Sequence, residues 1–180
     1  MAESIDKAGG LRSSSVVAWT IGMLVAMCGL LPYALIGLAM RLVAARAFFL
    51  SGQAMIEGPE ISLPTIAENL SFSVVLPVAI KDTTLRTFAT QYAALPIPSA
   101  TAAYLIGYAE FVLPICLAIG FATRFAALGL VVLTVLMSIY MMPEMFWTAH
   151  AYWIVILLAL IGLGPGAIST DALIRSLYRR

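Results

Sequence analysis

The residues of this chain that could do chemistry are a few polar side chains inside long apolar segments. Glu110 is the single charged residue between Ser99 and Gly120, a run long enough to cross a bilayer. A charge at the centre of a membrane costs about 2.5–3.5 kcal/mol. Glu110 is therefore expected to be paired, protonated or functional.

Arg41 is the predicted partner of Glu110. At about 1.5 Å per residue, Arg41 lies about 14 Å from the inner edge of a span that begins at Pro32. Glu110 lies about 17 Å from the outer edge of a span that begins at Ser99. Because these spans are antiparallel, an ion pair at similar depth is expected. The pair either fixes helix register alone or also belongs to a ligand or proton site.

Three further side chains are candidates for that ligand or proton site. Tyr104 and Tyr108 lie near the carboxylate in sequence and carry hydroxyl donors suited to a quinone carbonyl. His150 is either an interfacial histidine or part of a proton-active or head-group site. A single histidine excludes a bis-histidine haem, and Cys28 and Cys116 form no metal-binding motif. We predict no metal and assign no catalytic residue.

Composition decides the class of protein. The chain has 180 residues, of which 62% are apolar and 11% charged, whereas soluble domains have about 45–50% and about 25%. This predicts an all-α integral membrane protein without a separate soluble domain. A net charge of +1 gives no support for a nucleic-acid partner.

The predicted architecture is a four-transmembrane-helix bundle over residues 32–175, with spans at about 32–52, 99–120, 125–142 and 147–163. Residues 1–31 are a tail and an extra interfacial or tilted helix, Val16–Leu31. One straight helix from Val16 to Leu50 would be about 52 Å long, so a break is expected at Pro32. Residues 176–180 form a basic tail.

Residues 53–97 are predicted to form an outer loop. In it, Ser71–Ile80 is either a strand or a segment that dips into the interface, and Thr83–Tyr92 is a short surface helix. Basic residues place both termini in the bacterial cytoplasm, at the inner face of the cytoplasmic (inner) membrane. Six of them lie on the side of the termini and two on the other side: Lys7, Arg12, Arg124, Arg175, Arg179 and Arg180 against Lys81 and Arg86.

Five groups of residues between positions 32 and 175 form an ordered pattern. They are Arg41 with Phe48–Gln53; Phe88–Tyr92 with Leu95-Pro96, Tyr104, Tyr108, Glu110 and Pro114; Leu117–Gly120 with Thr123-Arg124 and Ala126–Leu128; Pro143-Glu144 with His150 and Trp153; and Gly164–Gly166 with Ser169 and Asp171. Together they resemble the DoxX family of small membrane proteins. The chain departs from the pattern at Ala54-Met55, where relatives often have a lysine.

The resemblance implies a four-helix bundle linked with redox functions. Some members are associated with membrane oxidoreductase complexes, and related proteins belong to thiosulfate:quinone oxidoreductases. We therefore expect an accessory subunit rather than an independent enzyme, in contact with membrane lipid and a membrane or peripheral oxidoreductase. It would have no covalently bound cofactor and a pocket around Arg41 and Glu110 of a size suited to a quinone or a lipid head group. The alternatives are a structural or assembly subunit, in which the pair locks the bundle, and a small proton-coupled carrier.

Overall fold

The computed structural model describes Val16 and residues 18–23, 33–63 and 72–178. Four of its helical segments are long and apolar enough to cross a membrane: Tyr33–Met55, Ser99–Ile119, Thr123–Met141 and Pro143–Leu163. The predicted four-helix membrane bundle is therefore confirmed. Val16 and residues 18–23 are helical, and the rest of the predicted extra helix lies outside the described residues.

The helices are labelled in chain order. They are α1 Tyr33–Met55, α2 Asp82–Thr90, α3 Ser99–Ile119, α4 Thr123–Leu136, α5 Ala151–Leu163 and α6 Thr170–Tyr178. Between α4 and α5 the chain forms a π-helical turn (Met137–Met141), a 3₁₀ turn (Pro143–Met145) and a second π-helical turn (Phe146–His150). Isolated π turns of this kind occur frequently at functional sites.

Small residues bring α1 and α3 close together. The buried stripe of α1 repeats every three or four positions and consists of Gly37, Arg41, Ala44, Ala45, Phe48 and Gly52. The buried stripe of α3 includes Ala102, Ala103, Gly107 and Glu110. In lipid there is no hydrophobic force between helices, so close van der Waals packing of small residues holds such a pair together.

The segment between α1 and α2 forms two short antiparallel ribbons. Strand β1 (Ile56–Glu57) pairs with β4 (Ala79–Ile80), and β2 (Glu60–Leu63) pairs with β3 (Phe72–Val75). Of the two possibilities for Ser71–Ile80, the strand is the one observed from Phe72 onward. The predicted surface helix is present as α2.

The ribbons are attached to the end of α1 by side chains. Gln53 accepts a hydrogen bond from the Val75 N–H at 2.6 Å and donates one to the Val75 carbonyl at 3.0 Å. The Lys81 N–H and the Thr84 hydroxyl both donate to the Met55 carbonyl, at 3.1 and 3.3 Å. Carbonyls that a helix terminus leaves unpaired thereby obtain donors.

Two contacts fix the register of α1 against α3. A Cβ atom on Gly52 would lie 2.8 Å from the carbonyl of Glu110, and a Cβ atom on Gly120 would overlap the guanidinium of Arg41. Gly120 has φ of +73° and ends α3 in the left-handed conformation, which glycine adopts without steric cost. Gly52 is thus level with Glu110, and Arg41 is level with Gly120.

The bundle has two distinct ends. We call the end formed by residues 120–122 and 164–169 the turn end, and the end formed by residues 56–63 and 72–80 the strand end. Arg41 and the start of α6 lie at the turn end, because the Asp171 N–H donates to the Gly120 carbonyl at 2.9 Å. Glu110 lies toward the strand end.

We expect Gly52→Ala to destabilise the protein by about 1–3 kcal/mol, since the added methyl group meets backbone atoms that cannot move aside. The measurement is thermal unfolding in detergent. Gly162→Ala is the matched control, because a Cβ atom there has no neighbour within 4 Å. A loss of stability in Gly162→Ala equal to that in Gly52→Ala would contradict the proposed packing.

Candidate functional site

Arg41 is buried at the turn end, with 1% of its surface exposed. Its Nη2 donates to the carbonyl of Ile168, while its Nε and Nη1 have no hydrogen-bond partner. Asp171 is the carboxylate that acts electrostatically on it. Arg41 therefore holds the segment before α6 against α1.

The predicted ion pair between Arg41 and Glu110 is wrong. Neither Glu110 oxygen has a hydrogen-bond partner, and Arg41 contacts the opposite end of the bundle. Because Arg41 is level with Gly120, ten positions from Glu110 on α3, the two charges are about 15 Å apart along the bundle. The depth count assumed that both spans begin at a membrane edge, but α1 and α3 are staggered.

Asp171 completes the turn end. Its carboxylate accepts hydrogen bonds from the N–H groups of Ala122 and Thr123 at 2.8 and 2.9 Å, and from the Thr123 hydroxyl at 2.9 Å. These groups lie at the start of α4, whose first N–H groups have no partner within the helix. The Ser169 hydroxyl caps α6 by accepting from the Ala172 N–H at 3.1 Å.

Burial of the Asp171 carboxyl would raise its pKa, but the hydrogen bonds from Thr123 and Ala122 favour the charged form. The nearby charge of Arg175 acts in the same direction. Together these interactions hold the pKa of Asp171 below its ordinary value. The carboxylate is thus a fixed negative charge beside Arg41.

A cavity of about 390 Å³ lies toward the strand end, between the four spans and α2. Its wall from α1 includes Phe48 and Ser51, and α2 closes one side with Thr84, Thr87 and Phe88. Most of the surface is apolar, and five of the lining residues are methionines: Met55, Met137, Met141, Met142 and Met145. Methionine side chains adapt to irregular apolar ligands.

Glu110 lines this cavity and is fully buried. The Ser51 hydroxyl acts on its carboxyl group, but both oxygens lack a hydrogen bond of normal geometry. A buried polar group without a partner costs about 1–3 kcal/mol. Such a group is expected to meet its partner in a molecule that enters the cavity.

His150 lines the same cavity, and its ring orientation is fixed by a chain of hydrogen bonds. The Ser138 hydroxyl donates to the Thr134 carbonyl at 2.7 Å and lies 2.8 Å from His150 Nδ1. A hydroxyl has one proton to donate, so Nδ1 is the donor to Ser138. In the neutral ring Nε2 is then a hydrogen-bond acceptor.

The structure thus brings together two of the five predicted site residues. Glu110 and His150 share the cavity, whereas Arg41 is at the turn end. Tyr104 is 44% exposed on the outer face of α3, where its ring stacks on Tyr108 with centroids 6.2 Å apart. Neither tyrosine lines the cavity.

The sequence reasoning missed the methionines and Trp153. The signal was present, since Met137, Met141, Met142 and Met145 recur within nine residues. Met137 and Met141 lie in the first π-helical turn and Met145 ends the 3₁₀ turn, and a pattern based on 3.6 residues per turn does not describe such turns. Trp153 faces Phe48 edge-on, with ring centroids 6.0 Å apart.

Comparison with protein families gives a match to the DoxX family over residues 36–151. The match covers more than half of the chain, from α1 to the second π-helical turn. The chain belongs to the DoxX family. Comparisons with curated proteins and with solved structures gave no significant match.

In this DoxX protein the matched region contains Glu110 and His150, which line the cavity, and Ser138, which orients the His150 ring. Within the described residues, no three His, Cys, Asp or Glu side chains come together. The arrangement offers one carboxyl group and one imidazole acceptor in an apolar space. It suits a ligand with an apolar body and hydroxyl or carbonyl groups.

We expect Asp171→Asn to lower stability by about 1.5–3 kcal/mol, because its amide nitrogen cannot replace the second carboxylate oxygen, so the bonds from Ala122 and from Thr123 cannot both be accepted. In the wild type, the contribution of Asp171 is fully present above the ordinary aspartate pKa of about 3.9 and is lost as the pH falls through the lower native value. Unfolding in detergent between pH 3 and pH 7 measures this.

The control for this measurement is Asp82→Asn, which changes an exposed carboxylate on α2. The Asp171→Asn protein should lose part of the acid sensitivity, and the control should keep it. An unchanged pH dependence in Asp171→Asn would refute the role of this carboxylate.

Proposed function

We propose that this DoxX protein binds the head group of a quinone or quinol in the Glu110 cavity. It would do so as an accessory subunit of an oxidoreductase in the bacterial cytoplasmic membrane. The observation that carries the proposal is the fully buried carboxyl group on the wall of an apolar cavity, whose two oxygens accept no hydrogen bond of normal geometry from the described part of the chain. The volume of about 390 Å³ lies within the usual range of small-molecule sites, about 300–1,000 Å³.

Glu110 and His150, two of the polar residues that line the cavity, match the two oxidation states of a quinone. When it carries a proton, the carboxyl of Glu110 can donate to a quinone carbonyl oxygen. The Nε2 of His150, left as an acceptor by the Nδ1 bond to Ser138, can accept from a quinol hydroxyl. A ligand that makes the bond to Glu110 removes the cost of an unpartnered buried group.

The apolar wall suits the ring of such a molecule. Phe48 and Trp153 supply aromatic surface for contact with a flat ring, and aromatic pairs favour offset or edge-on geometry. Met137 and Met141 supply flexible surface for ring substituents. The partner oxidoreductase would supply the redox centre.

The alternative of a purely structural or assembly subunit loses its main support. It depended on an Arg41–Glu110 pair that locks the bundle, and the structure has no such pair. A group that leaves both oxygens unpartnered does not fix helix register by hydrogen bonding. Glu110 is better explained by a ligand than by packing.

We also propose that the turn end faces the cytoplasm. Arg124 and Arg175 lie at this end, whereas Lys81 and Arg86 lie at the strand end. Basic residues in short loops remain on the cytoplasmic side. The Glu110 cavity would then lie toward the outer leaflet.

We expect Glu110→Leu to weaken the binding of a short-chain ubiquinone by roughly three- to tenfold, the value of one lost hydrogen bond. Trp153 lines the cavity, so quenching of its fluorescence in detergent reports binding. Glu110→Gln keeps a donor and should bind nearly as well. The Glu110→Leu variant should remain folded, because leucine replaces a buried carboxyl group that has no hydrogen-bond partner.

The control variants for this measurement are Trp153→Phe, which should abolish the specific quenching, and Tyr104→Phe. Tyr104 is exposed on the outer face and should have no effect. Equal affinities for the wild type and Glu110→Leu would reject the quinone site.

The orientation is tested with single cysteines in a chain whose Cys28 and Cys116 are replaced by alanine. Arg86 is exposed on α2, so Arg86→Cys should react with a membrane-impermeant maleimide added to intact cells. Ser4→Cys should react after permeabilisation. Reaction of Ser4→Cys in intact cells would contradict a cytoplasmic N-terminus.

A further inference from the structure

Arg46 is a charged residue within the first span, and its side chain is exposed on the outside of the bundle. It is the fourteenth residue of the 23 in α1. It makes no hydrogen bond or ion pair with the described part of the chain. A cation in contact with hydrocarbon is costly, so such a residue requires an anion or access to the interface.

The register of the bundle gives the depth of Arg46. Arg41 is level with Gly120, and Arg46 follows five residues later, about 7 Å further into the bundle. Helix α6 begins at the level of Gly120 and exposes Leu173, Leu177 and Tyr178, as an amphipathic helix at a membrane interface does. Arg46 thus lies just below the interface at the turn end, within reach of lipid phosphates by snorkelling.

Arg46 lines an apolar groove between α1 and α3. The groove has a volume of about 420 Å³, and its other lining residues are all apolar: Leu42, Ala45, Phe49, Pro114, Ile115, Ala118 and Ile119. The small side chains of Ala45 and Ala118 leave space between the two helices. The groove thus combines one cation with a channel for an alkyl chain.

A second copy of this chain does not supply the missing anion. The described parts of the four spans contain two acidic residues, Glu110, which is fully buried, and Glu144, which lies away from the turn end, just before the second π-helical turn. A two-fold contact through the groove would also bring Arg46 near its own copy, and like charges repel strongly in lipid. Charge complementarity therefore favours an anionic lipid.

We propose that this groove is a binding site for an anionic phospholipid of the leaflet at the turn end. The phosphate accepts hydrogen bonds from Arg46, which can bind it in a bidentate manner. One acyl chain lies in the groove between α1 and α3. The site is separate from the Glu110 cavity, with which it shares no lining residue.

The test is native mass spectrometry of the detergent-solubilised full chain, titrated with phosphatidylglycerol or phosphatidylcholine. The wild type should bind phosphatidylglycerol more tightly, and Arg46→Gln should weaken this binding by about tenfold or more. Arg175→Gln is the matched control, because it removes the same charge from exposed α6 at the same end. It should leave the affinity nearly unchanged.

Two further arms test whether the groove and the acyl chain contribute to binding besides the charge. Ala118→Leu should narrow the groove and weaken phosphatidylglycerol binding although Arg46 is retained. Glycerol 3-phosphate, which has no acyl chain, should not compete. Circular dichroism and the unfolding temperature of each variant establish that it is folded.

The proposal is overturned if folded Arg46→Gln binds phosphatidylglycerol as the wild type does, or if Arg175→Gln loses as much affinity. Loss of a co-purifying membrane protein in Arg46→Gln with unchanged lipid affinity would assign the groove to a protein partner instead. Quinone binding should be unchanged in Arg46→Gln, so failure of this proposal is distinguishable from failure of the proposed quinone site.

Discussion

The close packing of α1 against α3 is the constraint on which the rest of the structure depends. Gly52 allows the Glu110 backbone to approach, and Gly120 leaves space for the Arg41 guanidinium. These two contacts fix one register of α1 against α3. A shift by a single helical turn would place larger residues at both points of close approach. The register then determines which polar residues face the cavity, the turn end or the lipid. In a membrane this packing contributes a larger share of the association between helices than it does in water, because lipid provides no hydrophobic force between helices.

Three charged residues of the spans, Arg41, Glu110 and Arg46, have three different environments. Arg41 is bound to the Ile168 carbonyl and lies near the fixed charge of Asp171, so it closes the turn end. Glu110 faces a cavity large enough for a small molecule. Arg46 points outward at a depth from which phosphate can be reached. The environment of each residue follows from its place along its helix, because the apolar helices that carry these residues are similar in composition.

Much of the fold could be predicted from the sequence, because the length of an apolar run decides whether a helix spans a membrane. The sequence also singled out Glu110 and His150 as site candidates, because a polar residue in lipid requires a partner, and both line one cavity in the structure. Pairing Glu110 with Arg41 failed, because counting from Pro32 and Ser99 cannot reveal how far two helices slide past each other. That displacement depends on contacts at Gly52 and Gly120, which have no periodic signal. The methionines were missed because π-helical turns change the side-chain direction relative to an α-helix.

The bonds from Asp171 to the start of α4 have a consequence for the order of assembly. Ala122 and Thr123 are made about fifty residues before the carboxylate that accepts their hydrogen bonds. During synthesis the hairpin of α3 and α4 therefore enters the membrane with an incomplete helix terminus. Its final acceptor arrives after the last span has left the ribosome. The turn end therefore closes only after α5 has been made, and a polypeptide that stops after α5 lacks the acceptor for the first amide groups of α4.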